Sequence, residues 1–178
     1  MNYSDDKLLQ LFKQGQQNFA FEQIVKKYQR KIYTVIRRMI YSHDDTHDVM
    51  QNTFIKAWKH LHDFRQESNL YTWLYRIAIN ETLTFISKSS HKMKVLLDEN
   101  MSTYVHSLSD NLNTDVIEYK LQKAILNLPE KQRAVFNMKY YDNLKYEEMS
   151  EILGISVGAL KAHYHLAVKK IEYFLIQD

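Results

Sequence analysis

Three glycines and one proline in 178 residues leave this chain little with which to interrupt a helix. Glycine loosens the helical backbone and proline breaks it. A sequence this poor in both, with few clusters of turn residues, is expected to run in long helices. The apolar pattern agrees. Phe21, Ile24, Val25, Tyr28, Ile32, Val35, Ile36, Met39 and Ile40 recur at three- and four-residue steps, and Lys26, Lys27, Arg30, Lys31, Arg37 and Arg38 form a solvated face opposite. A short helix from Asp5 to about Lys13, capped by Ser4, is expected to precede this one. Another should start near Asp44 and Asp45, whose carboxylates suit the positive end of a helix dipole, and carry Met50, Phe54, Ala57, Trp58 and Leu61 as its apolar stripe. A third is expected from about Leu70 through Trp73, Leu74, Ile77 and Ala78.

From Ser87 to Asn113 the sequence turns rich in Ser, Asn and Asp and loses periodicity. That length exceeds an ordinary connection inside a compact domain, so an interdomain linker is expected, with Val95-Leu96-Leu97 and Tyr104-Val105 able to form a short docked helix. Periodicity returns with Val116, Ile117, Leu121, Ile125 and Leu128, and Pro129 suits the first turn of the following helix, where its missing amide goes unnoticed. That helix should reach about Tyr140 with Ala134, Val135 and Met138 inward, and Asp142-Asn143 marks a turn. No strand pattern or internal repeat appears. The expected fold is all-α: an N-terminal helical bundle over residues 1–87, a linker over 88–113 and a C-terminal domain over 114–178.

The totals bound the function. With 45% hydrophobic and 25% charged residues the chain can bury a core and is not disordered by composition. A net charge of +3 permits a polyanionic partner without demanding one. The absence of cysteine excludes disulfides and thiolate metal sites. Met1–Asp6 lacks the basic-then-apolar pattern of a signal peptide, and no apolar run reaches membrane-spanning length, so a soluble cytoplasmic protein is expected. His43 and His47 fall one helical turn apart, but no zinc-site acid or third histidine has supporting spacing, and no metal site is expected. No phosphate loop, nucleophile elbow or catalytic carboxylate pair is present, so neither an enzyme nor a cofactor is expected.

Two motifs remain. From Tyr146 to Lys161 the pattern is a helix-turn-helix: Gly154 supplies a left-handed residue that ends one helix, and Ser156 caps the next. Met149, Ile152, Leu153, Val157, Leu160, Tyr164, Val168 and Ile171 are expected on the buried faces; Ala159, Ala162, His163, His165, Leu166 and Lys169 point outward, with Lys161 at the flank. Upstream, Asp48, Gln51, Phe54 and Trp58 fall at three- and four-residue steps along one side of a helix, followed by Phe64–Asn80 with its polar start and its aromatics.

Together, in this order, these motifs resemble the sigma factors of the extracytoplasmic-function (ECF) type, over nearly the whole chain apart from the linker. The family pattern Asp-x-x-Gln-x-x-Phe-x-x-x-Trp matches Asp48, Gln51, Phe54 and Trp58 residue for residue. The resemblance implies that these residues bind core RNA polymerase, with Phe54 and Trp58 mainly in the core. It implies that Arg65, Ser68, Asn69, Tyr71, Thr72, Arg76 and Asn80 receive the melted downstream promoter element, with Tyr71 or Tyr75 able to stack on an unpaired base. Ser156, Ala159, Lys161, Ala162, His163, His165, Leu166 and Lys169 would then meet the upstream element as duplex DNA. An anti-sigma factor is implied as a further partner, and no small-molecule substrate. The sequence departs from the family where Thr-Val-Lys-Ser-Arg-x-x-Arg-Ala is usual: His163 and Leu166 replace the two arginines. An arginine bridges two guanine acceptors, whereas histidine makes one bond and leucine only an apolar contact. A weaker, more A·T-tolerant upstream contact follows, one strengthened by protonation of His163. Lys145 replaces the usual Ser or Thr cap before Tyr146, so that helix is expected to fray. Two rivals stand beside this reading: a plain helix-turn-helix regulator with a sensing domain, and a sigma relative that no longer initiates transcription.

Overall fold

Ser4 opens the first helix as expected, its hydroxyl accepting from the Lys7 amide at the head of α1 (Asp5–Lys13). The computed structural model describes residues 3–40, 42–107 and 114–177, with side chains described over 3–40, 42–89 and 120–176. All regular structure among them is helical: after α1 come α2 (Gln17–Arg37), α3 (His43–His60), a 3-10 turn at Leu61–Asp63, α4 (Leu70–Ser107), α5 (Thr114–Leu126), α6 (Glu130–Tyr140), α7 (Tyr146–Leu153) and α8 (Val157–Gln177). The chain divides into two compact units, Met1–Arg37 with Ser42–Glu81, and Arg38–Tyr41 with Thr82–Asp178. The expected boundary near residue 87 thus lies a few residues beyond this division.

In the first unit α1 and α3 both pack on α2. Ala20, Ile24, Tyr28, Ile32, Val35 and Ile36 line the buried side of α2, and Leu8, Leu9, Leu11 and Phe12 come from α1. The α3 stripe differs from the expected one. Thr46, Val49, Thr53, Phe54 and Ala57 are buried, while Met50 is only half-buried and Trp58 is 36% exposed. The two threonines fit because each hydroxyl bonds the carbonyl four residues back, Thr46 to Ser42 and Thr53 to Val49, so no polar group is stranded.

The largest departure is α4. Residues 88–107 of the expected linker are helical, continuous with the helix that starts at Leu70. Ser and Asn cost only a few tenths of a kcal/mol each relative to better helix formers, and extending an existing helix avoids the nucleation cost. Residues 108–113 lie outside the described residues, as do the side chains of Val95, Leu96, Leu97, Tyr104, Val105, Val116 and Ile117.

In the second unit α5, α6 and α7 each pack on α8. Ala124, Ile125, Leu128, Phe136, Ala167 and Ile171 form one buried cluster, with Leu121, Tyr164 and Val168 packed against it. Pro129 sits one residue earlier than expected, as the N-cap of α6. Asn143 takes the expected turn with φ +50°. Arg133, only 6% exposed, donates to the carbonyls of Leu126, Leu128 and Met39. Leu126 ends α5, so a cation meets the carbonyls a helix leaves unpaired. Burial pushes the guanidinium down to about 10, with nearby Glu130 opposing, and leaves it protonated at neutral pH.

Candidate polymerase and promoter interfaces

Along α3 the four motif residues separate into two roles. Asp48 and Gln51 are exposed. Phe54 is buried, meeting Phe21 edge-on at 6.5 Å. Trp58 meets Phe12 at 5.8 Å and Phe21 at 5.0 Å, both edge to face, so its ring braces α1 and α2 while one side stays open. Ile55, four residues after Gln51 and 45% exposed, shares the face of Asp48 and Gln51. The sequence reading missed it, although an isoleucine on the polar side of an amphipathic helix is a visible signal. Ser42 caps α3 through the Asp45 amide, with Asp44 and Asp45 in the first turn.

The segment before α4 is a short polar loop. Arg65 and Asn69 are exposed, and Ser68 and Thr72 are half-buried. Gln66 holds φ +59°, a left-handed conformation that strains a residue with a side chain. Asn69 has a structural task too: its side-chain carbonyl accepts the Thr72 amide at 2.7 Å and so caps α4. Arg76 is half-buried, its Nε sealed from solvent without a partner, and Asn80 is exposed.

The two candidate stacking tyrosines part company. Tyr75 is 2% exposed and meets no solvent, which removes it as a stacking residue. Tyr71 stays half-buried, lying near-parallel to Tyr28 at 5.8 Å, with the Lys31 ammonium 5.4 Å from its ring centre. Tyr28 is itself anchored, its hydroxyl donating to both oxygens of the Asp5 carboxylate at 2.8 and 2.7 Å. Burial, then this acid, raises the Tyr28 phenol well above its usual value.

In the second unit α7 and α8 form the helix-turn-helix. Gly154 takes φ +68° as the C-cap of α7, its amide bonding the Ser150 carbonyl. Ser156 accepts the Ala159 amide at 3.3 Å and starts α8. The α7 start is not left bare as expected: the Glu148 carboxylate accepts the Lys145 backbone amide at 2.7 Å, supplying the reciprocal half of a capping box. Met149, Ile152, Leu160 and Ile171 are buried, as is Ala167, which the sequence reading overlooked; Leu153, Val157, Tyr164 and Val168 are half-buried.

Lys161, Ala162, His165, Leu166 and Lys169 are exposed along α8, with Ser156 exposed just before it. Ala159 and His163 are half-buried rather than fully outward. One ring nitrogen of His163, Nδ1, is buried with no hydrogen-bond partner. The Lys161 and Lys139 ammonium groups lie 5.7 and 5.1 Å from the Tyr146 ring centre, which fixes Lys161 beside α7.

Comparison with known proteins decides what these surfaces belong to. Residues 24–92 match the family Sigma-70 region 2, and residues 119–171 match Sigma-70, region 4. The chain is 35% identical to the ECF RNA polymerase sigma factor SigW of Bacillus subtilis, over 89% of this chain and 90% of that one. It is 30% identical to the ECF RNA polymerase sigma-E factor of Haemophilus influenzae, covering 95% and 94%. This chain belongs to the ECF sigma factors. It directs RNA polymerase to promoters, and sigma factors are initiation factors rather than catalysts. The family models in both halves remove the plain helix-turn-helix regulator. The fold of this sigma factor is similar to that of CnrH in complex with the cytosolic domain of CnrY, with TM-score 0.67, 23% identity and 98% of each chain covered. It is also similar to RpoE in complex with the anti-sigma factor NepR from Bartonella quintana, with TM-score 0.65, 22% identity, and 89% and 98% covered. Among the described residues no helix is long and apolar enough to cross a membrane.

Proposed function

We propose that this sigma factor divides promoter recognition between its two units, with Asp48, Gln51 and Ile55 docking α3 on core polymerase. The loop from Arg65 to Thr72 then takes a base flipped from the melted downstream element, Tyr71 offers it a ring to stack on, and Arg76 and Asn80 contact the adjoining strand. The exposed side of α8 enters the major groove of the upstream element, where Lys161 and Lys169 pair with phosphates and His165 and Leu166 meet base edges. The observation that carries this reading is that each unit exposes polar residues of its motif on a helix whose opposite side is buried. The strained Gln66 supports it further, since residues held in unfavourable conformations gather at binding sites. RpoE was solved with the anti-sigma factor NepR and CnrH with the cytosolic domain of CnrY, and we infer that this chain too is held by a protein covering these surfaces.

The test is transcription in vitro with purified core polymerase on a genomic promoter library. Starts that depend on the protein, and whose upstream elements tolerate A·T pairs, are expected. A strongly G-dependent upstream element lost on His163→Ala would sink the upstream assignment. Core binding without any starts would favour the relative that no longer initiates.

A further inference from the structure

His43 and His47 stand one turn apart at the start of α3, and their Nε2 atoms approach to 3.1 Å. The rings meet edge to face with centres 4.5 Å apart. Two neutral imidazoles hold such a distance with one proton between the facing nitrogens. Two histidine ligands of one ion bring their nitrogens to a similar separation. Metal–nitrogen bonds of about 2.0–2.1 Å place the nitrogens about 2.9 Å apart at a right angle and about 3.3 Å apart at the tetrahedral angle. The observed separation falls between.

Tyr33 adds an independent observation. From α2 its hydroxyl lies 2.6 Å from His43 Nδ1, and its ring packs 5.7 and 5.2 Å from the two imidazoles. A ligating histidine is ordinarily oriented by a hydrogen bond at its other ring nitrogen. Here that orienting partner is already in place.

We propose that His43 and His47 chelate a late first-row divalent cation, Zn2+ or Cu2+, through their Nε2 atoms, with Tyr33 as the positioning residue. The ion replaces the proton between the two nitrogens. That proton leaves one Nε2 and returns through water to Nδ1 of the same ring, so a neutral pair binds without net proton release. His43 Nδ1–H donates to the Tyr33 oxygen. Imidazole nitrogen suits zinc and copper, and Asp44, Asp45 and Asp48 on the same helix offset the ion's charge near the positive helix end. No group of three or more metal-binding side chains occurs among the described residues, so water fills the other positions. The site is open and exchangeable. His47 precedes Gln51 by one turn, which places the ion beside the surface assigned to polymerase docking, but binding does not depend on that assignment.

The test uses the untagged full chain, titrated with Zn2+ against a chromophoric chelator and with Cu2+ under electron paramagnetic resonance. One site with two coupled imidazole nitrogens is expected. His43→Gln and His47→Gln should each weaken Zn2+ binding by about tenfold or more and reduce the copper signal to one nitrogen, while Tyr33→Phe weakens binding by about tenfold. Both histidines are exposed, so circular dichroism should match the wild type. His60→Gln, at an exposed histidine with no assigned role, should leave the Zn2+ affinity and the copper nitrogen count unchanged. No binding, or unchanged affinity and nitrogen count in both His43→Gln and His47→Gln, would overturn the proposal; the latter would assign any binding to adventitious contacts elsewhere.

Discussion

Tyr28 shows how one buried hydroxyl organises a surface. Its bond to Asp5 ties α2 to the start of α1 while its ring backs Tyr71. Tyr28→Phe should cost about 1.5–3 kcal/mol in urea denaturation, the value of a hydrogen bond to a charged acceptor. The pH dependence has a definite sign. The folded state keeps this proton to higher pH than the unfolded chain, whose phenol titrates near about 10. The stabilisation is therefore complete below that pH and declines as pH rises above it. The wild type should lose more stability than Tyr28→Phe above about pH 10. Arg133 makes a second prediction. Arg133→Met strands three carbonyls that now share a donor, and should destabilise the second unit by about 2–4 kcal/mol in denaturant titrations followed by circular dichroism. Single residues like these were poorly legible in the sequence. Arg133 looks like any surface arginine until the end of α5 is placed against it, and Tyr75 looks as available as Tyr71 until packing buries it.

Elements were easier to foresee where a terminus carried its own chemistry. Ser4, Gly154 and Ser156 mark helix ends by local hydrogen bonds or backbone geometry, and all three act where expected, while the start expected near Asp44 and Asp45 is capped by Ser42. The end of α4 carried no such mark, and Ser and Asn residues do not stop a helix already under way. The α7 start failed differently: a cap was sought at Lys145, while the acceptor came from Glu148 three residues on. Two glycines in the helix-turn-helix give a paired prediction. Gly154→Ala forces a side chain into φ +68° and should cost about 1–2 kcal/mol, although no atom lies within 4 Å of the added carbon. Gly158 is helical, equally unobstructed and lacks that constraint, so Gly158→Ala should stabilise by about 0.5 kcal/mol. Thermal melts of the two variants should move in opposite directions.

For the whole molecule, the division of labour predicts two distinguishable kinds of defect. Asp48→Ala should weaken association with core polymerase and lower initiation at all promoters by a similar factor. Lys169→Ala should weaken duplex binding and reduce its salt dependence by about one phosphate contact, changing the ranking of promoters with different upstream elements. Competition between several templates in one transcription reaction separates the outcomes. The all-helical architecture and the identity of both halves were legible because each half carries a motif and their order is informative. The approach of Tyr33 to His43 was not, since it depends on the neighbour a helix face meets after folding.

The protein has two tryptophans, Trp58 and Trp73, and both belong to the first unit. Trp58 keeps one side open on the helix that bears Asp48 and Gln51, and Trp73 lies 5.1 Å from Phe64 beside the polar loop. The second unit has tyrosines but no tryptophan. Excitation at the red edge of protein absorbance therefore reports on one unit of the free protein while the other stays dark, an unlabelled optical signal for events in the first unit alone.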